Sequence, residues 1–270
     1  CIPVMDRGFL FGDGVYEVIL AYGGRPLRLA EHLDRLDASL AAVRIADPLS
    51  RAQWYEIFRR LLGTGAGDKV LYLQVTRGVD AKRNHLFPAA ASPTVFATVW
   101  DAPPRSAAIA RTGVAAITLD DLRWLRCDIK STALLGNVLL RQEAEEAGSD
   151  ESILVRDGCV TEGSSSNVFL VRGGELATPP KDRLVLPGIT RDLVLELAAG
   201  AGIPCSVREI AREELASADE IWITSSSREV APVTRLDDAP VGDGVPGPLW
   251  HQLDALYQDY KADLPGFDAL

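Results

Sequence analysis

Apolar residues at Leu29, Leu33, Leu36, Leu40 and Val43 recur at steps of four and three, the spacing of one helix face, and predict an amphipathic helix over roughly 29–45. Before it, Asp6–Gly14 reads as a turn-rich loop that feeds a β-type run at Val15–Tyr22. Gly23-Gly24 is a turn signal, and Arg25–Leu29 is a candidate returning strand. A second helix is expected at about 49–62, stopping at Gly63, followed by a strand at Lys69–Thr76, a loop from Arg77 to Pro88 and a strand at about 94–100. The short proline-rich run Asp101–Ser106 marks a linker, so the pattern predicts domains at 1–100 and 107–270 joined by 101–106.

In the second half a strand is expected at 111–119, and 122–129 leads to Lys130. Ser131 is a candidate N-cap for a helix running to Ala147 and stopping at Gly148. That would set Lys130 just before a helix N-terminus, where the dipole disfavours an ammonium and favours a nucleophilic amine. Glu151–Arg156, the turn Asp157-Gly158 and Cys159–Thr161 read as a hairpin, with Glu162 directly after it and a strand at Val168–Val171. A helix is expected at about 189–200, a strand at Ile221–Thr224, and a C-terminal helix at about 248–261 with Leu249, Leu253, Leu256 and Tyr260 on its packed face. The chain shows no internal repeat and no low-complexity tail.

Composition narrows the class. A chain of 270 residues, 47% hydrophobic and 24% charged, can bury a large core as one or two domains and reads as a soluble globular protein. No apolar run is long enough to span a bilayer, and no signal peptide is visible. A net charge of −10 argues against a nucleic-acid partner, although a local pocket for a small anion is compatible with it. Cys1, Cys127, Cys159 and Cys205 form no CxxC pair, and His32, His85 and His251 are far apart. Neither a disulfide framework nor a metal cluster is expected, and a reducing, cytoplasmic compartment is. The start at Cys1 suggests that an N-terminal piece is missing or trimmed.

Several residues carry candidate chemistry. Lys130 sits in the partly apolar run Cys127-Asp128-Ile129-Lys130-Ser131, and Glu162 opens a run of small hydroxyl residues at Ser164–Ser166. A nucleophilic lysine and a carboxylate that stays ionised are what an electron-sink cofactor such as pyridoxal phosphate requires. Arg35 lies off the apolar stripe of its helix, where the local reading is a solvated arginine paired with Glu31 one turn earlier. The cationic loop with Lys82, Arg83 and His85 is either plain surface or a carboxylate clamp, because Arg offers a planar donor fork and His another donor. Pro187–Asp192 enters a helix whose first N–H groups make a ready anion site, against the commoner alternative of an ordinary cap. Ser225–Ser227 is a second candidate hydroxyl cradle for phosphate.

The stretches DRGFLFGDGVYEV, EHLDRL, QVTRG, RWLRCDIKS, VTEGSSSNVF, PGITRD and ITSSSREV together resemble the fold-type IV pyridoxal-phosphate enzymes, the class IV aminotransferases. Within them the chain looks most like the D-amino-acid aminotransferases, from Asp6 to about Pro232. The resemblance implies a two-domain α/β fold, with a smaller N-terminal α/β domain and a larger C-terminal domain whose β-barrel-like core is flanked by helices. It implies pyridoxal 5'-phosphate, cycling with pyridoxamine phosphate, as cofactor. It also implies D-amino acids and 2-oxo acids as substrates, and a homodimer with active sites near the interface.

By the same resemblance Lys130 corresponds to the Schiff-base lysine that shuttles the substrate proton, and Glu162 to the carboxylate facing the pyridine nitrogen. Arg35 corresponds to the phosphate-binding arginine, with Ile189, Thr190, Ser225 and Ser226 as the rest of the cradle. Tyr16, Arg83 and His85 match the trap for the substrate α-carboxylate, and Tyr72, Ser165, Ser166 and Leu186 match positions lining the site. The loop Arg77–His85 is one residue longer than the family pattern, which sets Lys82 against Arg83 as the anchor. The family's first strand, before the DRG stretch, is absent. Rivals on the same fold are branched-chain L-amino-acid aminotransferase, (R)-amine transaminase and aminodeoxychorismate lyase. Val15-Tyr16-Glu17-Val18, where the first rival shows a Phe-Glu-Gly-type stretch, favours the D-amino-acid reading.

Overall fold

Strand β1, Gly14–Tyr22, shows how the first unit assembles. Successive side chains of a strand point to opposite faces. Val15, Glu17, Ile19 and Ala21 are fully buried, while Tyr16 and Val18 on the other face are half-buried. The computed structural model describes residues 1–63, 65 and 67–267. By its contacts the chain divides into two compact units: Cys1–Pro104 with Ile129–Leu134 and Leu264–Leu270, and Arg105–Asp128 with Leu135–Asp263. Of the expected second domain, 107–270, residues 268–270 lie outside the described residues.

In the first unit Asp6 caps a short helix α1, Arg7–Phe11, where a loop was expected; its carboxylate accepts from Gly8 N at 2.8 Å and Gly12 ends the helix at φ 64. Strand β1 is followed by a two-residue β2, Arg25–Pro26, shorter than the expected Arg25–Leu29 because Leu29 already opens helix α2, Leu29–Ala42. Helix α2 ends before the expected residue 45, since Arg44 turns to φ 56. Helix α3, Arg51–Leu62, begins with a capping box between Ser50 and Gln53 and buries Trp54, Phe58 and Leu62 at four-residue steps. Strands β3, Lys69–Thr76, and β4, Thr94–Asp101, complete an antiparallel sheet of order β2-β1-β3-β4. Leucines of α2, Trp54 and Phe58 of α3 and the buried face of β1 and β3 form its core.

Ile129–Leu134 packs into this unit although its numbers fall in the expected second domain. Ser131 bridges Val15 of β1, Tyr16 N donates to Lys130 O at 3.0 Å, and Ile129 joins the core. Ser131 is therefore not a helix cap. The helix that it was expected to start begins only at Leu135, so the dipole argument for Lys130 does not hold; the ladder to β1 fixes the lysine instead.

In the second unit Ser106 caps a helix α4, Ala107–Thr112, that the hydrophobic pattern did not reveal, and strand β5, Val114–Asp120, follows Gly113. Helix α5, Leu135–Glu146, leads to the hairpin β6, Glu151–Arg156, and β7, Cys159–Gly163, so Glu162 lies within a strand. Strands β8, Asn167–Arg172, and β9, Glu175–Thr178, helix α6, Ile189–Gly200, and strand β10, Cys205–Val207, come next. Strands β11, Glu220–Ser225, β12, Glu229–Leu236, and β13, Ala239–Pro240, and helix α7, Pro248–Ala262, end the unit.

Its mixed sheet has the order β10-β9-β8-β11-β12-β5-β6-β7, with β13 on β12, and curls as a half-barrel. Strand pairs β12–β5 and β5–β6 are parallel and β11–β12 antiparallel. Glu220 on β11 accepts from Leu249 N and Trp250 N, both at 2.9 Å, capping α7 through tertiary structure. That cap turns Trp250, Leu253 and Tyr257 inward, whereas Leu249, Leu256 and Tyr260 of the expected stripe are only half-buried.

Candidate functional site

The chemistry-bearing residues fall into one cluster in each unit. In the first, the half-buried Lys130 has its Nζ 3.4 Å from Tyr16 Oη and 4.4 Å from the centroid of the Tyr16 ring. Its backbone N donates to Ser39 Oγ at 3.3 Å. Tyr16 stacks on Tyr72 at 5.9 Å and 28°, and Tyr72 Oη donates to Gln74 Oε1 at 2.7 Å. These contacts follow from register, because Tyr16 pairs with Gln74 and Val18 with Tyr72 in the β1–β3 ladder. Burial, then the nearby Tyr16, raises the Tyr72 hydroxyl above its ordinary pKa. Among the described residues Lys130 Nζ has no carboxylate partner, so no salt bridge ties it down against reaction with an electrophile.

On the opposite face of β1 lies Glu17, a residue that sequence reasoning left unassigned. Its carboxylate accepts from Arg35 Nε at 2.8 Å, Arg35 Nη2 at 2.7 Å and His32 Nδ1 at 2.8 Å. The expected pairing of Arg35 with Glu31 is thus corrected: Glu31 pairs with Arg28, and Arg35 turns inward because a bare carboxylate on the helix-facing side of β1 needs compensation. Burial raises the Glu17 carboxyl, and the charge and hydrogen bonds of Arg35 and then His32 overcome it, holding it at about 2. Burial, with Arg35 and Lys130 adding to it, lowers His32 against the pull of Glu17, so the ring is neutral and donates from Nδ1.

Both shifts set the acid stability. The unfolded state binds a proton at His32 before the folded state does, so stability falls as pH drops through 6.5. Glu17 contributes stability that is complete above 4.5 and is lost as pH falls toward about 2, on the order of a few kcal/mol. Thermal melts of Glu17→Gln should therefore show a lower midpoint at neutral pH and a flatter decline between 4.5 and 2 than the wild type. An equally steep decline in both proteins would contradict this account.

Arg83 and His85 are exposed, and among the described residues neither makes a hydrogen bond, ion pair or ring contact with Tyr16, Tyr72 or Lys130. Both lie instead against Phe11 of α1.

In the second unit Glu162 is buried and its carboxylate meets only donors. Arg123 Nη1 lies 2.5 Å from Oε1, while Leu186 N and Asn167 Nδ2 lie 2.9 and 3.2 Å from Oε2. Oε1 therefore keeps a lone pair for one further donor. Burial raises the Glu162 carboxyl, and Arg123 opposes it. Arg123, which sequence reasoning missed, is gripped by Asp121 through Nε and Nη2, both at 2.9 Å; Asp121 also accepts from Thr161 Oγ1 at 2.9 Å and pairs with Arg156 at 3.1 Å. The run Asp120-Asp121 with Arg123 just after β5 was the available signal, but the pairing with Glu162 needs β5, β6 and β7 to be neighbours. Gly188 is required beside Asn167: a Cβ there would lie 1.8 Å from Asn167 Oδ1 and push away the amide that holds Glu162.

The serine run has a second buried carboxylate behind it. Ser164, Ser165 and Ser166 all turn their hydroxyls onto Glu151, the last two at 2.9 and 3.0 Å. Helix α6, headed by Ile189 and Thr190, starts at Gly188 with no side-chain cap. Thr224 Oγ1, next to Ser225 and Ser226 at the end of β11, is buried without a hydrogen-bond partner. An uncapped helix start and an unsatisfied buried hydroxyl suit an oxyanion such as a phosphate. With the carboxylate of Glu162 in the same unit, these donors suit the phosphate and ring nitrogen of pyridoxal phosphate, and the amine of Lys130 in the first unit is of the kind that suits its aldehyde.

Comparison with known proteins agrees. Residues 14–236 match the family described as Amino-transferase class IV. A D-alanine aminotransferase of Bacillus licheniformis is 43% identical over 261 residues, 96% of this chain and 91% of that one. The branched-chain amino acid aminotransferase of Escherichia coli superposes with a TM-score of 0.86 at 26% identity, over 99% of this chain and 90% of that one. A hypothetical aminotransferase from Mycobacterium tuberculosis, solved in its PLP-bound form, superposes with a TM-score of 0.83 at 27% identity, over 97% of this chain and 93% of that one. The chain belongs to the class IV aminotransferases. It is an aminotransferase whose cofactor is pyridoxal 5'-phosphate.

Proposed function

We propose that the enzyme moves an amino group between a D-amino acid such as D-alanine and a 2-oxo acid such as 2-oxoglutarate. The observation that carries the reading is the amine of Lys130, half-buried against Tyr16 and without a carboxylate partner among the described residues. When bound, pyridoxal phosphate supplies an electron sink and, as pyridoxamine phosphate, carries the amino group from one substrate to the next in ping-pong order. Lys130 Nζ takes the proton from the substrate Cα and returns it, a task for an amine that is not neutralised by a salt bridge. Glu162 would hold the ring nitrogen of the cofactor and keep it protonated. Arg35, Ile189, Thr190, Ser225 and Ser226 hold the phosphate. Tyr16, Arg83 and His85 bind the α-carboxylate, and Tyr72, Ser165, Ser166 and Leu186 line the site.

Pinning the carboxylate on one side presents the Cα–H of only one enantiomer to Lys130. Purified enzyme loaded with cofactor should therefore turn over D-alanine with 2-oxoglutarate and leave L-leucine nearly untouched. Robust turnover of L-leucine with none of D-alanine would reject the D-specific reading, and pyruvate release without an acceptor at catalytic rates would indicate a lyase.

The proposed working form is a cytoplasmic homodimer of two-domain subunits, 1–100 and 107–270 with 101–106 between them. Leu122, Trp124, Leu125, Leu135, Val138 and Leu139 are all exposed on the second unit, more large apolar side chains over two short stretches than a monomer is expected to leave in water. Free cysteines fit a reducing compartment. No helix of the described residues is long and apolar enough to cross a membrane. Light scattering at twice the chain mass supports the dimer, and a monomer would remove it.

A further inference from the structure

Phe11 ends α1 under the cationic loop and meets both of that loop's candidate carboxylate ligands. Arg83 Cζ stands 4.9 Å from the centroid of its ring, and the His85 ring lies 5.3 Å away at 48°. Arg83 and His85 are two residues apart on the loop, and both meet this ring. The loop backbone between them is held from below. Arg7, almost fully buried, donates from Nη1 to Asn84 O at 2.5 Å and Leu86 O at 3.3 Å, and from Nη2 to His85 O at 3.4 Å. Its Nε pairs with Asp13 at 2.8 Å, which also takes both forks of Arg77, and its own Cζ lies 4.9 Å from the Phe11 ring. Lys82 is exposed and, among the described residues, its side chain has neither a ring nor a polar partner.

We propose that Phe11 is a specificity-determining positioning residue: its ring holds Arg83 and His85 as a paired donor set for the substrate carboxylate and leaves Lys82 out of that set. The inference rests on the reading of Arg83 and His85 as carboxylate ligands. The physical reason is preorganisation. An exposed arginine that must be ordered on binding loses much rotamer freedom, whereas one already stacked on an aromatic face has lost it beforehand. A carboxylate bound equally in ground and transition states affects KM and leaves kcat alone.

The test is a kinetic cycle on the cofactor-loaded enzyme with D-alanine and 2-oxoglutarate. Phe11→Leu keeps apolar bulk without the ring and should raise the KM for D-alanine about tenfold, with kcat within about twofold. Phe11→Tyr keeps the ring and should retain the wild-type KM. In an Arg83→Ala/His85→Ala background, where KM is already high, Phe11→Leu should add almost nothing, because coupled residues are not additive. An Arg83→Ala/His85→Ala protein with unchanged KM would overturn the reading of the ligands themselves. If that protein has a raised KM while Phe11→Leu does not, or if Phe11→Leu raises KM equally in both backgrounds, the role of Phe11 is overturned alone. Lys82→Ala should leave KM unchanged, and a tenfold rise would contradict its exclusion.

Discussion

Lys130→Ala should reduce transamination by at least about 10⁴-fold, since the proposed function asks one side chain to supply both the nucleophile and the proton carrier. The geometry makes replacement by a neighbour impractical. Tyr16 Oη, 3.4 Å from Nζ, is the hydrogen-bond partner of the amine, and a phenol cannot form an imine with an aldehyde cofactor. The fold should survive, because Lys130 contributes its backbone to the ladder with β1 while its side chain stands half-buried and makes no ion pair among the described residues. The check is single-turnover kinetics with D-alanine beside a thermal melt. Turnover within a hundredfold of wild type in a folded Lys130→Ala protein would show that another group does this work.

Glu162→Gln should lower kcat by about 10²- to 10³-fold while cofactor binding persists, the range found when a buried electrostatic partner of the reacting centre is removed. The present carboxylate is surrounded by donors from Arg123, Asn167 and Leu186, which favour its charged form against the upward push of burial. Glutamine removes the charge and turns an N–H₂ toward one of those donors, which leaves a buried group unsatisfied. Arg123 keeps Asp121 as a counter-charge, so the variant should remain folded. Steady-state kcat together with the absorbance of bound cofactor separates the two effects. A kcat within threefold of wild type would deny Glu162 its role.

How far the sequence revealed this site depends on whether each contact is local. Helix α2, the β6–β7 hairpin and strand β1 were readable because their periodicities act within one element. The partner of Arg35 was not, since the local rule offers Glu31 and the true partner, Glu17, arrives from a strand eighteen residues earlier. A charged residue on the apolar face of β1 was the available clue. Glu151 posed the same problem, because nothing in Ser164–Ser166 says which carboxylate the hydroxyls will meet. The start of α5 was placed too early, as a serine after a lysine looks like a cap until Val15 is known to pair with it. Strand β12 was missed because Pro232 discourages a strand reading, although the structure pairs it with Trp222 on β11. The roles proposed for Lys130 and Glu162 rest on the surrounding residues as a whole, and their partners came only with the fold.

The claim at the centre of this account is that Lys130 is the residue that bonds the cofactor. The direct measurement is borohydride reduction of the enzyme loaded with pyridoxal phosphate, followed by tryptic digestion and mass spectrometry. Attachment at Lys130 blocks cleavage there and yields the labelled peptide Cys127–Arg141. Recovery of the label on that peptide, and its loss in Lys130→Ala, is the predicted result; a stoichiometric label on any other lysine, with Cys127–Lys130 released intact, would contradict it.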